Sequence, residues 1–122
     1  MTQRVLVADD EPSIVAALEF LLRHDGYEVE IARNGEQALA MIDRSPPDLV
    51  LLDVMMPLKD GHAVCRQIRD SERLRHVKVI MLTAKGRDAD VSKGLAHGAD
   101  LYVTKPFSTR ELMDSIRKLL AG

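Results

Sequence analysis

Leu49, Val50, Leu51 and Leu52 form an uninterrupted apolar run that stops on Asp53, and the run from Val5 to Ala8 stops in the same way on Asp9 and Asp10. Val79 to Leu82 leads into Thr83, and Leu101 to Thr104 is followed by Lys105. A strand with one solvated face alternates apolar and polar residues; a run without alternation belongs to a strand buried on both faces, as in a parallel sheet covered by helices. The chain is therefore constrained to an α/β fold. In a parallel sheet these runs all end at one edge, so three carboxylates, a hydroxyl and an ammonium converge where open α/β sheets place their chemistry.

The segments between the runs have helical spacing. Pro12 suits a first helical turn, where its missing N–H is not needed, and Ile14, Ala17, Leu18, Leu21 and Leu22 recur on one face until Asp25 and Gly26. Tyr27 to Ala32 alternates through Val29 and Ile31 and predicts a less buried strand at the sheet edge. Asn34 with Gln37 forms a capping pair for a helix whose inward side is Ala38, Leu39 and Ile42 and which Pro46 and Pro47 end. Leu49 to Leu52 is the central strand, Gly61 opens a helix reaching about Ser71, and Val77 to Leu82 is the fourth strand. A shorter helix over Arg87 to His97 includes Ala89, Leu95 and Ala96, is weakened by Gly94, and is closed by Gly98 as a left-handed terminator. Leu101 to Thr104 is the fifth strand. Ser108 and Glu111 match a capping box for a last helix with the stripe Leu112, Ile116, Leu119 and Leu120. Five strands alternating with five helices make a three-layer α/β sandwich.

Composition excludes several classes of function. At 122 residues the chain is the size of one domain, and residues 1–122 are expected to form a single unit. The 17 Lys and Arg against 19 Asp and Glu give a net charge of -2, without the basic footprint of nucleic-acid binding. Arg66, Arg69, Arg73 and Arg75 are interrupted by Asp70 and Glu72, a pattern that reads as a solvated helix face and loop. No apolar stretch is long enough for a membrane span and the first residues lack a signal-peptide pattern, so a cytoplasmic protein is expected. Cys65, the one cysteine, excludes an internal disulfide and reads as a partly buried structural thiol. His24, His62, His76 and His97 have no partner at zinc-ligand spacing.

The convergent residues suit one phosphoryl group and one divalent cation. Asp9 and Asp10 alone would be satisfied as a helix cap or as surface charge, but with Asp53 they concentrate like charge that each would resist. Magnesium prefers hard oxygen ligands, retains waters and bridges carboxylates to phosphate. Asp10 and Asp53 are assigned as direct Mg2+ ligands, the Met55 backbone carbonyl as a third, and Asp9 as acting through water; the Met55 and Met56 side chains read as loop packing. Asp53 is the best nucleophile, since a carboxylate can attack phosphorus and form an acyl phosphate. Lys105 would neutralise the transferred oxygens and Thr83 would donate a hydrogen bond to one, although alone they would read as a surface lysine and a helix cap. Lys85, two positions after Thr83, and Met55 are placed to influence water access. No small-molecule cofactor is called for.

With these residues in order, the chain resembles the response regulator receiver domains of bacterial two-component signalling, over essentially Arg4 to Leu120. The likeness rests on Asp9, Asp10, Glu11 and Pro12, on Asp53 with Met55, Pro57 and Gly61, on Thr83 with Ala84, and on Lys105, Pro106 and Phe107. It implies a doubly wound, flavodoxin-like parallel sheet in the order 2-1-3-4-5 flanked by five helices. It also implies that a phosphoryl group passes to Asp53 from a phosphohistidine on a sensor histidine kinase or phosphotransfer protein, and that the protein slowly dephosphorylates itself. By the same resemblance, Lys105 contacts the phosphoryl group, the bond to Pro106 is cis, Thr83 moves inward and Tyr102 changes rotamer. Such a domain catalyses its own phosphorylation and dephosphorylation without being a metabolic enzyme. Tyr102 can also be read as a simple amphipathic strand residue, and Phe107 as a packing residue.

Two other classes of function fit the residues less well. A small-molecule aspartyl phosphohydrolase of the haloacid dehalogenase type needs an acidic residue two positions after the nucleophile, where this chain has Met55. A phosphorylation-independent binding module would have lost the nucleophile or the acidic pair, and both are present. Receivers of winged-helix transcription factors resemble this chain but carry charged dimer contacts where Val91, His97, Leu101 and Ser115 stand. A monomer or weak dimer is therefore expected, with an unidentified downstream protein or output domain.

Overall fold

The computed structural model describes residues 2–84 and 98–121. Its elements are β1 (Arg4–Ala8), α1 (Pro12–His24), β2 (Glu28–Ala32), α2 (Gly35–Arg44), β3 (Leu49–Asp53), α3 (Gly61–Asp70), a 3-10 turn (Glu72–Leu74), β4 (Lys78–Ala84), β5 (Leu101–Lys105) and α4 (Thr109–Ala121). The five strands form one parallel sheet in the order β2-β1-β3-β4-β5, with β2 at an edge and β3 at the centre, as expected. The helix expected over Arg87 to His97 lies outside the described residues, which contain four α-helices.

Alternation along the central strands divides the core into two layers. Leu6, Val50, Leu52, Val79 and Met81 pack against residues of α2 and α3, while Val5, Val7, Leu49, Leu51, Ile80 and Leu82 pack against α1 and α4. All five residues of β3 are buried, which follows from helices on both faces of the sheet. Cys65 is completely buried in the first layer, more than the partial burial expected, and burial pushes its thiol pKa up. It is an unreactive core residue.

Element boundaries differ from the sequence expectation where backbone hydrogen bonds are drawn elsewhere. Tyr27 is not in β2, because its N–H donates to the Leu22 carbonyl at 3.1 Å while Gly26 N–H donates to Arg23, the two bonds that close a helix around a left-handed residue. Gly26 supplies that residue at φ +93°. Val77 N–H is likewise spent on the Leu74 carbonyl, so β4 begins at Lys78. At its other end β4 continues through Thr83 and Ala84, which pair with Thr104 and Lys105 of β5. The Asn34 side chain accepts from Gln37 N–H at 2.8 Å, and the Gln37 side chain accepts from Arg33 N–H at 2.7 Å rather than from Asn34 itself. Ser108 accepts from Glu111 N–H at 3.2 Å to start α4.

The arginine stretch is not a uniformly solvated face. Arg69 Nη2 donates to Asp100 Oδ2 at 2.8 Å, its Nε to the Gly98 carbonyl at 2.8 Å, and its Nη1 to the Val77 carbonyl at 2.7 Å. Asp100 Oδ2 also accepts from Val79 N–H at 2.7 Å. The planar guanidinium thus ties the end of α3 to the starts of β4 and β5. Arg73 pairs with Asp43 of α2.

Candidate functional site

Parallel register decides which side chains meet at the upper edge of the sheet. Ala8 pairs with Leu52, Asp53 with Leu82, and Ala84 with Lys105, so the chain leaves β1, β3, β4 and β5 within one patch. Asp9 has no exposed surface; its Oδ2 accepts from Lys105 Nζ at 2.9 Å and its Oδ1 from Glu11 N–H at 2.9 Å. Asp10, the next residue, is exposed. Asp53 closes β3 at 6% exposure, with Oδ1 3.3 Å from Met55 N and 3.5 Å from Lys105 Nζ. One carboxylate oxygen from each of Asp9, Asp10 and Asp53 lies within 4.8 Å of the others.

Charge at this edge is unbalanced. Burial raises the Asp53 pKa from its ordinary 3.8 to about 6, with the Asp9 and Asp10 charges adding to the rise and Lys105 and the Met55 N–H opposing it. Burial would by itself lower the Lys105 pKa. The hydrogen bond that Lys105 donates to Asp9 and the charges of Asp53, Asp9 and Glu11 outweigh it, so the ammonium titrates above its usual range. Three carboxylates with oxygens within 4.8 Å of one another, two of them beside the Lys105 ammonium, fit a hard divalent cation, which would supply further positive charge. Asp10 is the member turned to solvent, whereas Asp9 already holds Lys105 and an amide.

Thr83 is 2% exposed, and its hydroxyl has no hydrogen-bond partner among the described residues. A buried hydroxyl without a partner costs stability unless a ligand completes it. Tyr102 shares this face of the sheet two residues before Thr104, the register partner of Thr83, and its ring packs on the α3-side core with its centroid 6.3 Å from that of His62. The Lys105–Pro106 peptide is cis. Phe107 packs against the α1-side core, and the Met55 side chain points out to solvent, away from any ligand role.

Several sequence candidates fall elsewhere. Lys85, Val91 and His97 lie outside the described residues. Leu101 packs against the core and the Ser115 hydroxyl donates to the Glu111 carbonyl at 3.0 Å, so neither offers a charge. Glu11 was not assigned a role from the sequence, yet its carboxylate lies 3.4 Å from Lys105 Nζ and its amide holds Asp9. An acidic residue directly after an acidic pair was the available signal.

A family model described as the response regulator receiver domain matches residues 5–117. The chain belongs to the response regulator receiver domain family. Among solved structures, the signal receiver domain of a signal transduction histidine kinase from Syntrophus aciditrophicus is 36% identical, with a TM-score of 0.93, covering 99% of this chain and 92% of that one. The receiver domain of sensor histidine kinase PA1611 from Pseudomonas aeruginosa PAO1, which has a magnesium ion coordinated in its active site cleft, is 32% identical with a TM-score of 0.90 and full coverage of both chains. The chemotaxis protein CheY4 of Vibrio cholerae is 30% identical with a TM-score of 0.90, covering 98% of this chain and all of that one. This receiver is therefore a phosphorylation-dependent signalling protein of the two-component type.

The raised Asp53 pKa makes the receiver's stability depend on pH in a defined direction. The folded carboxyl holds its proton more tightly than the unfolded one, so stability falls as pH rises from about 4 to about 6, and the cost is complete above that window. Asp53→Asn removes the cost while Lys105 keeps its partner Asp9. In metal-free buffer the variant is expected to be more stable than the wild type by on the order of 2 kcal/mol at pH 7.5, with the difference vanishing near pH 4. Urea denaturation across pH checks this; an advantage that is flat with pH would contradict it.

Proposed function

We propose that this receiver accepts a phosphoryl group on Asp53 from the phosphohistidine of a sensor histidine kinase or a histidine phosphotransfer protein. A carboxylate oxygen of Asp53 attacks phosphorus as the P–N bond to histidine breaks, and the imidazole leaves with the bonding pair. The ionised carboxylate needs no base. Lys105, 3.5 Å from the Asp53 oxygen, faces the charge carried by the transferred group, and the Thr83 hydroxyl has a hydrogen bond to donate. The observation that carries the reading is the Asp53 carboxylate at the sheet edge, 3.5 Å from Lys105 Nζ and within 4.8 Å of oxygens of Asp9 and Asp10; the buried Thr83 hydroxyl at the end of β4, without a partner among the described residues, supports it. Hydrolysis of the acyl phosphate returns Asp53 to its starting state.

Asp10 and Asp53 are the direct Mg2+ ligands in this reading, with the Met55 carbonyl as a third and Asp9 acting through water. When bound, the cation supplies positive charge that lets the phosphoryl oxygens approach the carboxylates. Asp9 serves mainly by holding Lys105.

Bonding of Thr83 to the phosphoryl group would favour one packing of Tyr102 over another and so alter the face that includes β5 and α4. A downstream protein or output domain reads that face. The whole of residues 1–122 acts as one receiver unit, in the cytoplasm; among the described residues no helix is long and apolar enough to cross a membrane.

Asp53→Asn is expected to abolish incorporation of one phosphoryl group from acetyl phosphate or phosphoramidate with magnesium, read by intact-protein mass spectrometry. Equal incorporation into both proteins would overturn the assignment. Asp10→Ala should weaken magnesium binding more than Asp9→Ala, because it removes a direct oxygen ligand; titration of the two folded variants decides, and the reverse ranking would exchange their roles. Sedimentation with and without a stable phosphate mimic should show a monomer or weak dimer, since Leu101 and Ser115 supply no charged contacts. A tight dimer formed on activation would contradict this.

A further inference from the structure

The loop after Asp53 is held from outside by α2. Gly35, the first residue of α2, lies so close to the loop that a Cβ built on it would overlap the Lys59 carbonyl oxygen and come within 2.6 Å of the Lys59 carbonyl carbon and 2.7 Å of its Cβ. The first N–H groups of a helix have no partner within it. Here Gly35 N–H donates across to the Pro57 carbonyl at 3.4 Å. The same carbonyl accepts from Lys59 N–H at 2.8 Å, which closes a three-residue turn with Leu58 at its centre.

Leu58 adopts φ +70°, a left-handed conformation that a bulky residue with a Cβ resists, and the residue is 72% exposed, so burial of its side chain does not account for it. Its conformation is held by the backbone around it. At the far end of the loop, Gly61 N–H donates to the Val54 carbonyl at 3.0 Å, and a Cβ on Gly61 would come within 2.5 Å of the Asp53 carbonyl oxygen. The loop is therefore clamped twice, by α3 through Gly61 and by α2 through Gly35. Met55 lies between the clamps.

We infer that Gly35 is a positioning residue for the phosphoacceptor loop: its missing side chain lets α2 seat the Pro57–Lys59 turn and thereby fixes where the Met55 backbone points. This rests on the reading of the Met55 carbonyl as a Mg2+ ligand and extends it to a residue 20 positions earlier in the chain. A methyl group at position 35 must push the Lys59 peptide away, and the displacement passes along a short, doubly anchored loop. Helix propensity would favour alanine over glycine in α2, so the cost appears in the loop and not in the helix.

The test compares wild type with Gly35→Ala by amide NMR, first without metal and then in a magnesium titration. In the metal-free variant the amides of residues 55–60 are expected to shift, and magnesium affinity to fall by about tenfold, as for other supports of a metal ligand. A folded variant with unchanged amides over residues 55–60 and unchanged affinity would overturn the inference. If the variant does not fold, the wild-type titration decides: the Gly35 amide should move with the same midpoint as Met55, and a silent Gly35 beside a responding Met55 would overturn it. A wild type in which Asp10, Asp53 and Met55 all ignore magnesium would defeat the metal reading instead, and the metal-free shifts of the variant would still decide the role of Gly35. Where neither arm shows coupling, as when an unfolded variant accompanies a wild-type Gly35 that magnesium leaves unmoved, the inference fails.

Discussion

Asp9 carries a charge with no exposed surface, and Lys105 makes that tolerable. An ionised carboxylate moved out of water without a partner costs several kcal/mol, more than a small domain can spare. Lys105 Nζ, 2.9 Å from Asp9, and the Glu11 amide on the other oxygen provide the compensation. The two charged residues follow or end strands that are not neighbours: β1 and β5 are separated by β3 and β4. The ion pair therefore bridges the ends of the two strands that carry Asp53 and Thr83, and it gathers the site across the sheet.

The edge so formed holds several unsatisfied features. Asp53 is pushed toward its neutral form, the Thr83 hydroxyl is buried without a partner among the described residues, and Leu58 holds a left-handed backbone. Each of these opposes folding, and the two layers of buried aliphatic side chains elsewhere in the sheet carry the cost. In the proposed function, a phosphoryl group with its cation relieves two of the three, by supplying charge to the carboxylates and an acceptor to the hydroxyl. Unmet bonding capacity at one edge is what lets a small covalent event have leverage over packing elsewhere.

Much of this architecture is legible in the sequence. Runs such as Leu49 to Leu52 announce a strand buried on both faces, and residues that follow such runs must share an edge if the strands are parallel. Asp9, Asp10, Asp53, Thr83 and Lys105 could therefore be grouped from order alone. Boundaries were less legible where an amide had a competing acceptor, as at Tyr27 and Val77, because local pattern does not say which carbonyl an N–H will find. Arg69 differs from expectation for a related reason: four of its five N–H donors meet carbonyls and a carboxylate outside its helix, and a solvated arginine in a helix has the same sequence signature.

By itself the sequence determined the α/β class, the alternation of strands and helices and the identity of the groups at the reactive edge, since these follow from periodicity and from what each side chain can do chemically. Only the tertiary structure decided that Asp9 is the residue bound to Lys105 while Asp10 is turned to solvent, that Glu11 joins them, and that Gly35 seats the loop beyond Asp53. Those facts depend on distances between segments far apart in the chain. Consecutive strand residues point opposite ways, but which of the two carboxylates turns inward depends on how the strand end packs, and here it is Asp9 that is buried and Asp10 that is left in water.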